Sequence, residues 1–206
     1  MAFTSRTLCL LVITLALCQA AVARPIADLT GPSPVAKSIL STFKDLGSLS
    51  DTLRSTAESV TVYNAGWRGY KISGGVLVIA QRVEKAIQQL EDAGSADETA
   101  LSDDDAKLVI PVLSKFVQIH SLALDAVIEK HGLVTLVPYV EGIRQALLNV
   151  EQSLFDFADS VERRIPTQEI RSAADDQFGA LGVKLHECIA TYEEPLLNAA
   201  TVLASH

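Results

Sequence analysis

Between residues 136 and 161 the apolar residues Leu136, Val140, Ile143, Leu147, Val150, Leu154, Phe157 and Val161 advance by fours and threes without exception. That step returns to one side of a 3.6-residue helix, while Gln145, Asn149, Gln152, Asp156, Asp159 and Arg163 repeat it on the other side. Such a rod must lay its dry face against a partner. Thr135 stands where a cap is needed, and Pro138 falls in the first turn, where a missing N–H costs little. A helix of about thirty residues spans roughly 45 Å.

The same period recurs along the chain. A first helix is predicted over about 34–62 from Ile39, Phe43, Leu46, Leu53, Ala57 and Val60. A second, ending near 92, carries Val76, Ile79, Ala80, Val83, Ile87 and Leu90, and "EDAGSADETALS" then supplies a polar loop. Ser102 caps a third helix over about 103–130, whose first turn holds Asp103, Asp104 and Asp105, favourably placed against the backbone dipole. Its apolar residues cover most of the circumference: Ala106, Ile110, Leu113, Val117, Leu124 and Val127, joined by Leu108, Val112, Phe116, Ile119 and Leu122. That pattern predicts a central helix, and Pro111 within it predicts a kink. Ile165-Pro166 breaks the chain, Thr167 caps a last helix, and Ile170, Ala174, Phe178, Leu181, Leu185, Cys188 and Tyr192 form its stripe. No segment alternates as a strand would. The expectation is an all-α fold, a single up-and-down bundle of about five amphipathic helices over 34–203, preceded by a lead segment over 24–33.

Residues 1–23 run from Arg6 through an apolar stretch to Ala21-Val22-Ala23, the order of a secretory signal peptide, with Thr14 and Gln19 interrupting what a membrane span would need. No later segment is read as long and apolar enough to span a bilayer, and "LLNAATVLASH" is too short and polar for a lipid-anchor tail. The product is expected to be secreted. Cys9 and Cys18 leave with the leader, so Cys188 has no internal disulfide partner, and the disulfide-stapled helical families are excluded. The formal charge of −8 becomes −9 when Arg6 is removed, which disfavours nucleic acid and anionic membrane as partners.

The segment "NAGWRGYKISGG", residues 64–75, gathers four glycines around the only tryptophan. Glycine disfavours helix by roughly 1 kcal/mol, so Gly66 and Gly69 predict a turn between the first two helices, with Trp67 and Tyr70 folded over the bundle end. The alternative is a functional apolar tip.

Enzymatic signatures are missing: there is no G-x-S-x-G elbow, H-E-x-x-H, phosphate-binding Gly-rich loop or G-x-G-x-x-G. No nucleophile has a legible base beside it. His120 on the inner stripe reads as a satisfied core or boundary residue, and His186, Glu187 and Cys188 point about 100° apart and cannot share one ion. No metal site and no cofactor are expected. "SDDDAK" lacks the alternation of a calcium loop and reads as a helix start. Arg163-Arg164 and Glu193-Glu194 read as solvated faces near helix ends.

What remains is apolar material, 49% of residues. A core of this composition either fills itself or leaves an apolar channel, and the stripes do not decide between the two.

The order of parts resembles the fungal hydrophobic surface-binding protein A family, which includes the cell-wall galactomannoproteins. The resemblance spans about 35–192 and rests on "VYNAGWRG", "VLVIAQRVEKAIQQLEDAG", "LSDDDAKLVIPVLSKFVQIHSLALDAVIEKHG", "LLNVEQSLFDFADSVERRIP" and "IATY". It implies a secreted, wall-associated helical bundle without enzymatic activity that adsorbs to hydrophobic surfaces and recruits lipolytic enzymes such as cutinase, some relatives holding fatty acids internally. This chain departs from many relatives in its Trp67 turn, its greater charge and its lack of a Ser/Thr-rich stalk.

The resulting expectation is a protein that binds a fatty acid or another apolar ligand or surface. The predicted lining is Leu113, Phe116, Val117, Leu124, Ile143, Leu147, Leu154, Phe155, Phe178, Leu181 and Leu185, with Trp67 and Tyr70 as mouth or surface contacts. The rival expectation is an adaptor with a solid core that recruits an enzyme.

Overall fold

Ser33 starts the first helix: its hydroxyl accepts the Ala36 N–H at 3.2 Å, and Pro34 occupies the first position, where no hydrogen bond is lost. From there the computed structural model, which describes residues 31–135 and 138–193, is built of helices: α1 (Pro34–Glu58), α2 (Ala65–Asp92), α3 (Asp103–Glu129), the single turn α4 (His131–Val134), α5 (Val140–Glu162) and α6 (Gln168–Glu193). The leader at 1–23, most of the lead segment, Leu136 and positions 194–203 lie outside the described residues.

Each long helix packs against two others, and the pairs α1–α2, α2–α5, α5–α6, α6–α3 and α3–α1 close a ring. Successive long helices alternate in direction. The starts of α1 and α3 meet where Asp105 accepts the Ser33 N–H, at 3.3 Å to each carboxylate oxygen, and Thr167 before α6 bonds Asp103 at the same end. At the other end the Tyr192 hydroxyl donates to the Val127 carbonyl at 3.0 Å. Helices α1, α3 and α6 therefore run one way, and α2 and α5 the other.

Ring closure leaves a centre that pairwise contacts do not fill. Phe43 of α1 occupies it, with its ring centroid 5.7 Å from Phe116, 5.6 Å from Phe157 and 6.2 Å from Phe178, tying α1 to α3, α5 and α6. Offset and edge contacts of this kind add to the burial of the rings themselves. The predicted stripes point inward: Ile39, Leu46, Leu53, Val76, Ile79, Val83, Leu90, Leu113, Leu124, Ile143, Leu147, Val150, Val161, Leu181 and Leu185 are all buried.

Several details differ from expectation. Helix α3 is not central; it packs on α1 and α6, and Leu108 and Leu122 on its outer side remain exposed. Its broad apolar surface serves two flanks of the ring rather than four surrounding helices. By length and composition alone α3 is apolar enough to cross a membrane, contrary to the expectation that no segment after the leader is. It continues through Pro111, and Pro111 and Lys107 both lie on its exposed side, where the carbonyl that the proline leaves without a donor is open to solvent.

The glycine-rich stretch is helix, not turn. Asn64 makes the turn instead: its side-chain oxygen accepts from the Thr61 N–H at 2.8 Å and its amide donates to the Ser59 carbonyl at 3.1 Å, so α2 starts at Ala65. Gly69 is buried, and a Cβ at Gly75 would stand 3.3 Å from Leu53 Cδ1, so Gly75 lets α1 and α2 approach. Helix α5 begins at Val140, later than Thr135 suggested, because α4 and a turn through Pro138 intervene.

Arg164 is not a solvated charge. It is 5% exposed, and its guanidinium donates to the carbonyls of Ser160 (2.7 Å), Leu90 (2.9 Å) and Gly94 (3.1 Å) and to the Thr99 hydroxyl (3.0 Å). One planar fork thus satisfies the end of α2 and the loop after it, while its own carbonyl accepts from Leu101 N–H at 2.8 Å. Replacing Arg164 by Ala is expected to cost about 3 kcal/mol by leaving buried carbonyls without donors. Arg164→Lys should recover only part of the loss, because an ammonium cannot reproduce the fork. Urea unfolding of the three proteins measures this.

Candidate functional site

The five seams of the ring are not equally sealed. Along α5–α6 the stripe residues Leu154, Phe178, Leu181 and Leu185 form a floor, but α6 places Gly179 and Gly182 beside them, three residues apart on one helix face. A Cβ at either glycine would meet nothing within 4 Å. The missing side chains leave an open groove of about 760 Å³, walled by Leu148, Phe155 and Ala158 from α5. That volume suits a small apolar ligand. Glu162 and Leu148 mark its ends on α5, fourteen residues apart, or roughly 21 Å.

Phe155 stands in this groove 71% exposed, an unusual position for a phenylalanine with a buried seam beside it. Phe178 is 9% exposed and touches Phe43, so the groove floor is continuous with the aromatic centre. The rim is polar and one-signed: Glu151, Asp159, Glu162 and Asp175, with Gln152. Burial, and then the neighbouring charge of Asp175, hold the Glu162 carboxyl above the usual range, opposed by Arg171.

Of the predicted lining, Leu154, Phe155, Phe178, Leu181 and Leu185 come together in the groove. Leu113, Phe116, Val117, Leu124, Ile143 and Leu147 lie in the packed interior. The sequence reading passed over Gly179, Gly182 and the acidic rim. The available signal was a pair of glycines three apart inside a helical stripe, each disfavouring helix by about 1 kcal/mol without a turn to justify it.

Trp67 and Tyr70 do not line the groove. They sit on the first turns of α2, 62% and 57% exposed, stacked 6.0 Å apart, with the Lys71 ammonium 5.0 Å from the Trp67 ring and Tyr139 at 6.0 Å from Tyr70. With Val62 and Tyr63 beside them in sequence and also exposed, they make an aromatic tip at one end of the bundle.

A serine and a histidine do meet, which the sequence could not reveal. The Ser50 hydroxyl lies 2.7 Å from His120 Nδ1 and donates its one proton to the Leu46 carbonyl at 2.7 Å, so Nδ1–H is the donor to serine. Both residues are buried and the serine proton is committed, so this is a core hydrogen-bond chain rather than a nucleophile with its base. His120 Nε2 is buried against apolar neighbours without a polar partner, and burial pushes the imidazole down to about 4. Burial likewise raises the Cys188 thiol to about 12, which makes it inert packing. Among the described residues no three His, Cys, Asp or Glu side chains gather as a metal site.

No protein-family model matches this chain, and no curated protein matches it significantly by sequence. Solved structures do share its fold. AFMP4P in complex with palmitic acid superposes with a TM-score of 0.68 at 16% identity, over 77% of this chain and 99% of that one. Ligand-binding domain 1 of the Penicillium marneffei MP1 protein, complexed with arachidonic acids, gives 0.67 at 15% identity over 78% and 98%. Domain 2 of the same protein, complexed with multiple arachidonic acids, gives 0.68 at 12% over 77% and 96%. At these identities the likeness establishes the all-helical fold.

His120 gives the fold a defined acid sensitivity. Its folded-state value of about 4 lies below the ordinary 6.5, so between those limits the unfolded chain takes up a proton that the folded one refuses. Stability is fully present above pH 6.5 and falls as the pH drops toward 4, by about 3 kcal/mol in all. Glu141, held near 2 by Arg144 and Gln145, acts only below 4.5 and is separable. Chemical unfolding across this range should show the slope in the parent and lose it in His120→Asn, which keeps a donor for Ser50.

Proposed function

We propose that this chain is a secreted, non-enzymatic protein that holds the apolar tail of a fatty-acid-like lipid in the α5–α6 groove. The observation that carries the reading is the groove itself, an open apolar trough whose floor runs into the aromatic centre and which is vacant of side chains at Gly179 and Gly182. The shared fold supports it, since the matched structures are complexes with palmitic and arachidonic acids. Burying ten to fourteen methylenes contributes a gross ~8 to 11 kcal/mol, of which association and ordering cancel a large part, so micromolar affinity is within reach.

Secretion belongs to the same proposal and rests on the order of charge, apolar run and small residues in 1–23. The resemblance to the hydrophobic surface-binding and galactomannoprotein family extends it to the cell wall and to waxy or oily surfaces. The exposed Trp67–Tyr70 tip favours the surface-contact part, because aromatics with a polar atom suit a boundary between water and oil. The committed Ser50 proton and the sealed His120 support the absence of catalysis.

The adaptor reading, recruitment of a secreted cutinase-like enzyme through charged outer faces, makes a different forecast. Capture from culture fluid should then weaken on charge reversal at Glu141, Asp159 and Glu162, with no lipid bound. Tail binding is tested with Gly182→Leu. The added side chain enters open space, and replacing a helical glycine stabilises by roughly 1 kcal/mol. Titration with a fluorescent fatty acid should show at least a tenfold loss of affinity in a protein that unfolds no earlier than the parent. Unchanged binding would place the tail elsewhere.

A further inference from the structure

We propose that the groove selects single-chain amphiphiles with a cationic amine head, seated between Glu162 and Asp175, with the tail running toward Leu148. This rests on the tail-binding reading above and specifies the head group.

The argument is one of charge complementarity at a groove whose floor is apolar. Every ionisable residue among its described lining is acidic: Glu151, Asp159, Glu162 and Asp175. Two cations lie nearby: Arg163 pairs with the rim carboxylate of Asp159, and Arg171 donates through Nε and Nη2 to the Ile165 carbonyl at 3.0 and 2.6 Å while its charge acts on Glu162. Glu162 and Asp175 come from the two walls, where α5 ends and α6 begins. Their mutual repulsion is felt, since burial and Asp175 together raise the Glu162 carboxyl while Arg171 offsets only part.

A carboxylate head brought to this end adds a third negative charge in a partly desolvated place, whereas an ammonium neutralises the pair and gives each carboxylate a donor. The opposite end of the groove, at Leu148 and Leu185, offers a tail apolar contact and a single carboxylate, Glu151 on α5, rather than a pair drawn from both walls. The orientation follows: amine at Glu162 and Asp175, chain past Phe178, Gly179, Phe155 and Gly182.

The test compares dodecylamine, dodecanol and laurate, identical in chain length and different in head charge, by calorimetric titration of the whole folded chain at pH 7. Dodecylamine is expected to bind at least tenfold more tightly than laurate, with dodecanol between them, and the gap should shrink in high salt. In the double variant Glu162→Gln, Asp175→Asn, which keeps side-chain size, the ratio of amine to alcohol affinity should fall toward one and the ratio of laurate to alcohol affinity should rise. Laurate binding as tightly as dodecylamine, or an amine preference that survives the double substitution, overturns the head-group assignment and leaves tail binding standing. If none of the three binds, the tail-binding reading fails and this assignment falls with it.

Discussion

Five helices closed into a ring cannot satisfy their own middle. Each meets two neighbours, and the space they enclose must be filled from the walls by side chains long enough to reach it. Phe43, Phe116, Phe157 and Phe178 do this, and Phe43 touches Phe116 on the adjacent α3 as well as Phe157 and Phe178 across the ring. Removing such a ring typically costs 3–5 kcal/mol, so the arrangement of every helix is staked on this cluster. Only the α1–α2 and α5–α6 seams join consecutive antiparallel helices; the α1–α3, α3–α6 and α2–α5 seams join parallel helices distant in sequence.

Buried polar groups fix which parallel pair meets which. Asp105 holds the start of α1 to α3, Ser50 to His120 locks the same pair at mid-length, Tyr192 reaches the Val127 carbonyl to tie α6 to α3, and Arg164 anchors the end of α5 to the end of α2. An apolar stripe accepts many partners of similar width, but a buried donor accepts only a neighbour that presents an acceptor at the right height. These four links span three of the ring's five seams and set the register there.

The α5–α6 seam gives the molecule its site. Here α6 withdraws two Cβ positions at Gly179 and Gly182, and Phe155 is left facing the gap. The trough is thus a local subtraction from an otherwise filled core, and it opens onto Phe178, a member of the central cluster. The acid rim gives that apolar space a sign.

Helix content, the inward stripes with Cys188 among them, and the Ser102 cap were legible in the sequence because they depend on period, on residue type and on the neighbours a residue has in its own turn. The groove was half legible. Leu154, Phe155, Phe178, Leu181 and Leu185 border the groove, while six other lining candidates with the same pattern lie buried away from it, since periodicity identifies a dry face without saying what covers it. Gly66 and Gly69 misled for a related reason: glycine disfavours helix by only about 1 kcal/mol, an amount that the tertiary packing of a whole helix outweighs, and packing is a long-range fact. Arg164 looked like its neighbour Arg163 until the carbonyls of Leu90 and Gly94, some seventy residues earlier, came to meet it. By itself, then, the sequence determined that this chain makes amphipathic helices that must bury one face. Tertiary structure alone decided which faces meet, which polar groups are enclosed and which seam stays open, because each of those depends on what two distant segments present to one another in space.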